Sequence, residues 1–307
     1  MISKSVPREA VLVVNAQSRR GEALFQEARE KLEAAGLTLL DAHAVKDPTT
    51  MASTVRQAVR DGAPMVIVGG GDGSLSGTID EVVNTECVFA PLPLGTANSF
   101  ARTLGMPLDL DEAVDCIAKG CRRRIDVGQI NGDYFVNAAS MGLSPMIGDT
   151  IPTQLKKYLG RLGYLIWAVR CFFMLKPFRL IIHDGTREWR MWSTEVRVMN
   201  GRFHGGVELS DTADVDSGDI VIQAVTGRHR WSLVVDWYAK FFRLRDRHAR
   251  TEEFRGVELL LDTKPRLPIS IDGEVLARTP ATVKVAARAV DVVAPCDDED
   301  KYARPAA

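Results

Sequence analysis

The first 126 residues alternate between short continuous apolar runs and stripes of apolar residues at helical spacing. Continuous runs bounded by loops are typical of buried strands, and stripes with a period of 3.6 are typical of helices that pack on one face. Strands that alternate with helices predict a mostly parallel sheet covered on both faces. Strands are predicted to begin at Val11, Leu37, Met65 and Val88, and helices are predicted over 24–35, 49–61, 74–84, 99–104 and 110–119.

After residue 124 the pattern changes to segments rich in β-branched residues, separated by Gly, Asp and Pro. Such segments are typical of an antiparallel sandwich or barrel. Two helical segments, 153–175 and 231–242, interrupt them. The predicted fold class is therefore α/β with two domains: a parallel-sheet α/β domain over 1–126 and an antiparallel β-sandwich domain over 127–286.

Composition and charge exclude some partners. The 307 residues are 46% hydrophobic, which is enough for one large domain or two of middle size. With 39 Lys and Arg against 40 Asp and Glu the net charge is −1. A nucleic-acid partner is not expected, because such binders carry a basic excess or a basic face. Only the tail after Ala294 is polar enough to fray.

Cysteine usage and hydropathy point to a cytoplasmic protein. The five cysteines are odd in number and share no metal-like spacing, which favours reduced thiols. The most membrane-like stretch, 155–175, is interrupted by Lys156, Lys157, Arg161 and Arg170. Its longest uncharged piece is too short to span a membrane.

The segment VIVGGGDGS (66–74) has the strongest local signal for chemistry. At the carboxyl edge of a parallel sheet, the N–H groups of a Gly-rich turn and of the next helix bind phosphates. Asp72 adds a carboxylate suited to Mg²⁺ on a nucleotide. The alternative is a tight turn with no ligand, but four glycines around an Asp favour the phosphate site. The loop matches neither a Walker A nor a dinucleotide-binding pattern.

A second turn, in PLPLGTANSFAR (91–102), has the same design. A strand ends at Gly95, Thr96 offers a hydroxyl, and Asn98 stands where its side chain could cap the next helix. Simple capping is the alternative interpretation. Two such turns at the ends of two strands of one sheet favour a shared cleft.

These motifs resemble the catalytic domain of the diacylglycerol kinase and sphingosine kinase superfamily, above all bacterial soluble lipid kinases of the YegS and DgkB type. The resemblance continues through 123–142, 198–211 and 269–276, in order over nearly the whole chain. It implies an N-terminal nucleotide-binding domain and a C-terminal lipid-substrate domain, with ATP and Mg²⁺ in the cleft between them. It also implies that residues from about 287 to 307 pack back on the first domain.

The resemblance implies roles for individual residues. The catalytic base lies in an Asp-Gly-Glu turn, here Asp272 to Glu274, and Asp72 positions Mg-ATP. A carboxylate suits this task because a lipid hydroxyl is a poor nucleophile until its proton is removed. Which carboxylate is the base stays open, and Asp-Gly alone is a common hairpin turn. The implied nucleotide-binding residues are Asn15, Gly70, Gly71, Asp72, Gly73, Ser74, Gly95, Thr96 and Asn98.

Two further sites relate to metal handling. Ser99 replaces the Asp usual after GTAN, which removes a carboxylate from near the cleft. In segment 209–220 the resemblance implies a regulatory Mg²⁺ site with Asp214 and Asp219 as ligands and Ser217 in one ligand position. An acidic turn without metal is an equally open interpretation.

The two helical segments of the second half combine basic and aromatic residues. Such a helix can lie at a membrane interface, attracted by anionic lipid and by aromatic burial. A helix packed across the sandwich, with its basic side in water, is favoured for most of the length, and its apolar end then lines the lipid access. The residues of the first segment that carry this pattern are Lys156, Lys157, Arg161, Tyr164, Arg170, Trp167, Phe172 and Phe173.

The sequence therefore predicts a cytoplasmic ATP-dependent lipid kinase with peripheral contact at the inner membrane surface. Its acceptor would be a diacylglycerol-like lipid, phosphatidylglycerol or a sphingoid base. One alternative is a kinase for a soluble acceptor of the NAD kinase type, and another is a catalytically weak nucleotide- or lipid-binding protein. No histidine is assigned a role, although His204 lies in a turn that could face the cleft.

Overall fold

The structure, a computed structural model, describes residues 5–241 and 250–296. Its first part alternates strands and helices, as the hydrophobic pattern predicts. The elements are β1 (Glu9–Asn15), α1 (Arg19–Ala34), β2 (Thr38–Val45), α2 (Met51–Arg60), β3 (Met65–Gly70), α3 (Asp72–Ile79), β4 (Val88–Pro93), α4 (Ser99–Thr103) and α5 (Leu110–Lys119).

The strands of this part form a parallel sheet in the order β2-β1-β3-β4. Strands β3 and β4 are buried along their whole length, since helices cover both faces. Parallel strands end at the same edge of a sheet, so the ends of β1, β3 and β4 bring their loops together. The glycine turns after β3 and β4 therefore meet at this edge.

Helix α3 differs from the predicted helix over 74–84 at both ends. It begins at Asp72, inside the glycine turn, and ends at Ile79. Beyond Ile79 the chain tightens into turns, because Val82 N–H donates to Ile79 O at 3.0 Å. Asn84 has a φ of +57° and its N–H donates to Ala289 O at 2.7 Å. The turns after α3 are thus held by a contact between Asn84 and Ala289, about 200 positions apart, which local periodicity does not reveal.

The second part is built from antiparallel strands and carries three helices within the described residues. Its core packs apolar side chains from one face of each strand, among them Val196, Val198, Ile222 and Leu261. The predicted two-domain α/β fold class is confirmed. The elements are β5 (Cys121–Ile130), β6 (Asp133–Phe135), β7 (Ala138–Met141), α6 (Leu143–Thr150), α7 (Thr153–Met174), β8 (Phe178–His183), β9 (Glu188–Met199), β10 (Phe203–His204), β11 (Val207–Glu208), β12 (Ile220–Thr226), α8 (Trp231–Phe241), β13 (Thr251–Gly256), β14 (Glu258–Lys264), β15 (Pro268–Ile271), β16 (Glu274–Arg278) and β17 (Ala281–Ala294).

Strand β17 joins the two parts. Its first half pairs with β14 and β5, and further on Val292 pairs in parallel with Phe89 of β4. Residues 289–294 lie in the core of the first part, while 297–307 lie outside the described residues. The predicted boundary near 126 falls inside β5, which runs without a break from Cys121 to Ile130.

The expectation that all cysteines are reduced is wrong for one pair, since Cys121 and Cys296 form a disulfide. Strands β5 and β17 pair antiparallel with Cys121 opposite Ala294, so the start of one strand lies beside the end of the other. That register is not visible in the spacing of the cysteines. Cys87, Cys116 and Cys171 are free thiols.

Helix α7 holds the stretch that sequence analysis judged too interrupted to cross a membrane. Across the described ranges, no helix is both long and apolar enough for a membrane span. The side chains of Lys156, Lys157, Arg161 and Tyr164 lie outside the described residues.

Candidate functional site

The two glycine turns pack against each other at the edge of the parallel sheet. A Cβ on Gly95 would lie 2.5 Å from Gly71 Cα, and a Cβ on Gly70 would lie 2.5 Å from Ser74 Cβ. No real side chain fits at those distances, so both positions require glycine. Gly73 has open space where a Cβ would be, which leaves the first turn of α3 accessible.

Asp72 connects the two turns. It is the first residue of α3, and its Oδ1 accepts a hydrogen bond from Phe100 N–H in α4 at 3.2 Å. Nearby, Asn15 Nδ2 donates to Ser74 Oγ at 3.0 Å and ties the end of β1 to the same turn. The predicted residues Asn15, Asp72 and Ser74 are therefore brought together.

Asn98 closes the second turn rather than capping the helix, so that expectation is wrong. It has a φ of +49°, which directs its side chain back to Gly95. Its Oδ1 accepts from Gly95 N–H at 3.0 Å, and its Nδ2 donates to Gly95 O at 3.0 Å. With Asn98 buried beneath it, Thr96 is exposed at the tip, where its hydroxyl can reach a ligand.

A short hairpin of β10 and β11 lies against these turns. Ser99 is 1% exposed, and its Oγ accepts a hydrogen bond from Gly206 N–H at 3.0 Å. The residue that departs from the family pattern thus holds the hairpin in place. His204 of this hairpin lies close enough to Asp72 to feel its charge; burial, with the nearby positive charge of Arg197, lowers the pKa of His204, and Asp72 raises it.

The Asp-Gly-Glu turn joins β15 to β16, and Asp272 occupies its left-handed position with a φ of +45°. Asp272 Oδ1 accepts from Asn137 N–H at 3.2 Å and Ala138 N–H at 3.1 Å, and Oδ2 accepts from Val136 N–H at 3.0 Å. Burial raises the pKa of Asp272 to about 6, and the charge of Asp72 adds to that rise, while the three N–H donors oppose it. The Asp-Gly-Glu turn is therefore close to the glycine turn that contains Asp72.

A cavity of about 220 Å³ separates these turns. Gly73 and Gly77 of α3 line one side, and Asp272, Glu274 and Leu276 line the other. Residues on both walls are predicted from the sequence, but the space that they share is not. Glu274 itself is exposed.

Two carboxylates at this cleft, Asp80 and Asp133, were not predicted from the sequence, and His204 was named there without a role. Asp80 and Asp133 both line the cavity. Partial burial, together with the charges of Asp133 and Glu81, raises the pKa of Asp80 to about 6, although its side chain still reaches solvent. No motif marks these carboxylates. The only sequence feature that places His204 near the cleft is the glycine-containing turn in which it lies.

The predicted metal ligands of the second part lie against arginines. Asp214 Oδ2 accepts from Arg202 at 2.9 Å, and Asp219 forms an ion pair with Arg255 at 3.2 Å. Ser217 Oγ donates to Asp214 O at 2.8 Å, which closes the loop without a metal. Among the described residues, no three His, Cys, Asp or Glu side chains are grouped as a metal site. Asp214 and Asp219 thus stay predictions without structural support.

Comparisons with known proteins match both parts of the chain. Residues 9–130 match the family model "Diacylglycerol kinase catalytic domain", and 138–294 match "YegS C-terminal NAD kinase beta sandwich-like domain". The chain is 30% identical to the "Probable lipid kinase YegS-like" of Enterobacter sp. (strain 638), over 71% of this chain and 74% of that protein. It is 28% identical to the "Diacylglycerol kinase" of Bacillus subtilis (strain 168), over 80% and 84%. A crystal structure of a diacylglycerol kinase from Bacillus anthracis str. Sterne has the same fold, with a TM-score of 0.73 at 19% identity over 95% of this chain and 98% of that one.

Proposed function

The chain belongs to the diacylglycerol kinase catalytic-domain family, and from that membership we propose that it is an ATP-dependent lipid kinase that transfers the γ-phosphate of Mg-ATP to a lipid hydroxyl. The observation that carries this proposal is the cavity between Gly73 of the nucleotide turn and the carboxylates of Asp272 and Glu274. A phosphoryl donor at the turn and an acceptor hydroxyl at the carboxylates would meet across it, and positioning of this kind supplies much of the catalysis of phosphoryl transfer.

The glycine turns fit the phosphates of a nucleotide. Because Gly70 and Gly95 leave no room for side chains and the space beside Gly73 is open, the N–H groups of the turn and of the first turn of α3 would face an incoming anion directly. Asp72 would hold Mg²⁺ together with the phosphates, since this ion is usually bound by one or two carboxylates plus substrate oxygens. When bound, Mg²⁺ neutralises charge that develops on the transferred group.

Asp272 is the base in this proposal, and Oδ2 is the atom that takes the proton. An ionised carboxylate has about four acceptor sites. Three are used by the N–H groups of 136–138, two on Oδ1 and one on Oδ2, so Oδ2 retains one. A pKa of about 6 leaves the group mostly ionised at neutral pH yet able to hold a proton. Glu274, exposed on the same wall, orients the acceptor hydroxyl.

The acceptor would be reached from a membrane surface. Helices α7 and α8 adjoin, because the rings of Phe172 and Trp231 meet edge to face at 5.3 Å. We call the exposed apolar residues on these helices the α7–α8 patch: Leu162, Leu165, Ile166, Val169, Phe173, Met174, Trp231, Val234, Val235 and Tyr238. Apolar residues of this kind enter the interface of a bilayer, while Arg170, which follows Val169 on α7 and lies over Trp167, would attract anionic lipid. The proposed location is the cytoplasm, with peripheral contact at the inner membrane surface.

The proposal is tested with γ-labelled ATP, Mg²⁺ and a panel of diacylglycerol, phosphatidylglycerol and sphingoid bases in mixed micelles. Label is expected in one lipid, and it is expected to vanish in Asp72→Ala and Asp272→Asn. A parallel arm offers NAD without detergent, and label there would instead establish the soluble-acceptor kinase. ATP binding without label in any acceptor would establish a weak nucleotide-binding protein.

A further inference from the structure

An exposed leucine lies on the wall of the cavity at the proposed reaction centre. Leu276 of β16 is 55% exposed, and it lines the same cavity as Asp272 and Glu274. A single exposed apolar residue needs no explanation by itself. Leu276, however, shares a wall with the two carboxylates of the Asp-Gly-Glu turn. A molecule that fills the cavity therefore contacts its side chain.

The backbone at Leu276 departs from that of a regular strand. Strand β16 pairs with β15, where Ser270 lies opposite Val275 and Ile269 lies opposite Ala277. Leu276 has no opposite residue in this register and is the extra residue of a β-bulge. A bulge bends its strand and redirects a side chain, and bulges are frequent at sheet edges and next to active sites. Strand β16 is such an edge, because β15 is its only strand partner among the described residues.

The described residues that line the cavity are mostly acidic or apolar. The acidic ones are Asp80, Asp133, Asp272 and Glu274, and the apolar or aromatic ones are Tyr134, Ile271 and Leu276. Within the described part of the chain, no Lys, Arg or His lines the cavity. An anionic group is disfavoured there, because like charges repel strongly where water is partly excluded. An uncharged or cationic head group with an apolar chain suits both kinds of side chain.

Helix α6 links the strand of Leu276 to the surface proposed to meet the membrane. It packs against both β16 and α7, and α7 carries half of the α7–α8 patch. Leu143 and Ile147 of α6 share a buried apolar cluster with Cys171 of α7. A single helix thus separates the strand of Leu276 from α7.

We propose that Leu276 contacts the hydrocarbon chain of the acceptor lipid, and thereby selects lipids whose chain begins close to the hydroxyl that is phosphorylated. This inference rests on the proposed function and narrows its acceptors. Glu274 orients the hydroxyl in that proposal, so the spacing between Glu274 and Leu276 sets how soon the chain must begin.

That spacing separates the candidate acceptors. Residues of a strand rise by about 3.3 Å each, so Glu274 and Leu276 are about 7 Å apart along β16, a length of about five carbon–carbon bonds. In a diacylglycerol or a sphingoid base the hydrocarbon begins within this distance of the primary hydroxyl. In phosphatidylglycerol a phosphodiester stands between the hydroxyl and the chains, and it would meet the carboxylates of the cavity instead of Leu276.

The first test measures binding to the wild-type protein without nucleotide, by titration calorimetry with monomeric short-chain lipids. The probes are 1,2-dihexanoylglycerol and dihexanoyl phosphatidylglycerol, which carry the same chains and differ in the head group. The diacylglycerol is expected to bind about 10- to 100-fold more tightly, because its chains reach Leu276 and it brings no negative charge to the carboxylates. Equal affinities, or tighter binding of phosphatidylglycerol, would overturn the inference.

The second test uses Leu276→Ser and Leu276→Met, with the melting temperature as the check on folding. Leu276→Ser is expected to bind dihexanoylglycerol about tenfold more weakly, because an apolar contact is lost. Leu276→Met keeps an apolar side chain of similar size and should bind like wild type. Leu260→Ser is the matched control, since Leu260 of β14 is 44% exposed and does not line the cavity. Unchanged affinity in folded Leu276→Ser contradicts the proposed contact.

Phosphorylation with γ-labelled ATP separates this inference from the proposed function. Leu276→Ser should raise KM for diacylglycerol about tenfold and leave KM for ATP and kcat near wild type, because ground-state and transition-state binding lose the same contact. A loss confined to kcat would give Leu276 only a structural role beside Glu274 and would remove the inference. Labelled lipid with no effect of Leu276→Ser leaves the kinase proposal standing and removes this one. Selective binding that Leu276→Ser weakens, with no label in any lipid, does the reverse.

Discussion

Asp272 combines a left-handed backbone with three N–H donors on its carboxylate, and each feature explains the other. The positive φ turns the side chain toward residues 136–138, and the donors hold it there. Asn and Asp tolerate this conformation better than most residues, which explains an Asp-Gly turn here. Burial then sets the protonation behaviour.

The first prediction concerns the pH dependence of the rate. Since the pKa of Asp272 is raised to about 6, the ionised base is lost as pH falls through about 6, and kcat/KM should fall about tenfold per unit below it. Above this pH the rate should reach a plateau. Asp272→Asn should lower kcat by roughly 10²- to 10⁴-fold and abolish the pH dependence, with ATP affinity retained. A flat profile between about pH 5 and 8, measured at saturating ATP, would assign the proton to another group.

The second prediction compares two glycines of the glycine turns, Gly73 and Gly95. Gly95→Ala should unfold at a lower temperature and lose ATP binding, because its Cβ would lie 2.5 Å from Gly71 Cα. Gly73→Ala should keep the melting temperature of wild type, because nothing lies within 4 Å of its Cβ. Calorimetric melting and ATP titration measure both. If Gly73→Ala weakens ATP binding without lowering the melting temperature, a phosphate occupies the space beside Gly73. A wild-type melting temperature for Gly95→Ala would contradict the close packing of Gly95 on Gly71.

At the scale of elements, α7 and α8 carry apolar residues on surfaces that no other part of the described chain covers. Their inner sides pack on a small cluster that includes Leu143, Cys171 and Leu233. The helices therefore keep one apolar face for the fold and expose another. Adjoining exposed apolar residues of this kind are typical of an interaction surface.

The third prediction tests this patch. Leu165→Asp should reduce co-sedimentation with vesicles that contain anionic lipid, because it places a negative charge at a side chain that is 60% exposed. Stability should change little for the same reason. Leu40→Asp, at a 52% exposed position on β2 of the first part, is the matched control and should bind vesicles like wild type. Equal sedimentation of both variants would place the membrane contact elsewhere.

Whether a segment is a helix or a strand could be predicted, because the signal lies in neighbouring residues. Which elements it packs or pairs with could not, because that depends on residues far away in the sequence. The apolar runs and stripes of the first part predict each strand and most helix ends to within a few residues. The predicted end of α3 is wrong, because the chain after Ile79 forms turns and Asn84 is bonded to Ala289. The glycine turns were also local, so the residues around Asp72 could be named in advance. The buried ion pairs of Arg197 with Glu195 and Asp236 could not be found, since they depend on how α8 packs on the sheet.

At the scale of the whole molecule, β17 and the disulfide hold the two parts together. β17 pairs with strands of both parts, and Cys296 just beyond it is bonded to Cys121 at the start of β5. The bond spans a sequence separation of 175 and so encloses nearly all of the second part. Cysteines this far apart give no pairing signal in a sequence.

The fourth prediction concerns this bond. Cys296→Ser, or a reductant, should lower the free energy of unfolding by about 2–4 kcal/mol, because a long loop of the unfolded chain is no longer closed. Chemical denaturation with and without dithiothreitol measures the loss. Cys116→Ser is the control, since Cys116 is a free thiol, and it should remain sensitive to the reductant. Equal stability of wild type in both conditions would mean that the thiols are reduced in solution.

The pairing of Val292 with Phe89 also means that β4 is synthesised long before the strand that pairs with it. Strand β4 leaves the ribosome about 200 residues before its neighbour β17 exists. At roughly 5–20 residues per second, the nascent first part of the molecule waits about 10–40 s with an open strand edge. Such an edge is a template for aggregation, so this interval is when the nascent chain most needs a chaperone.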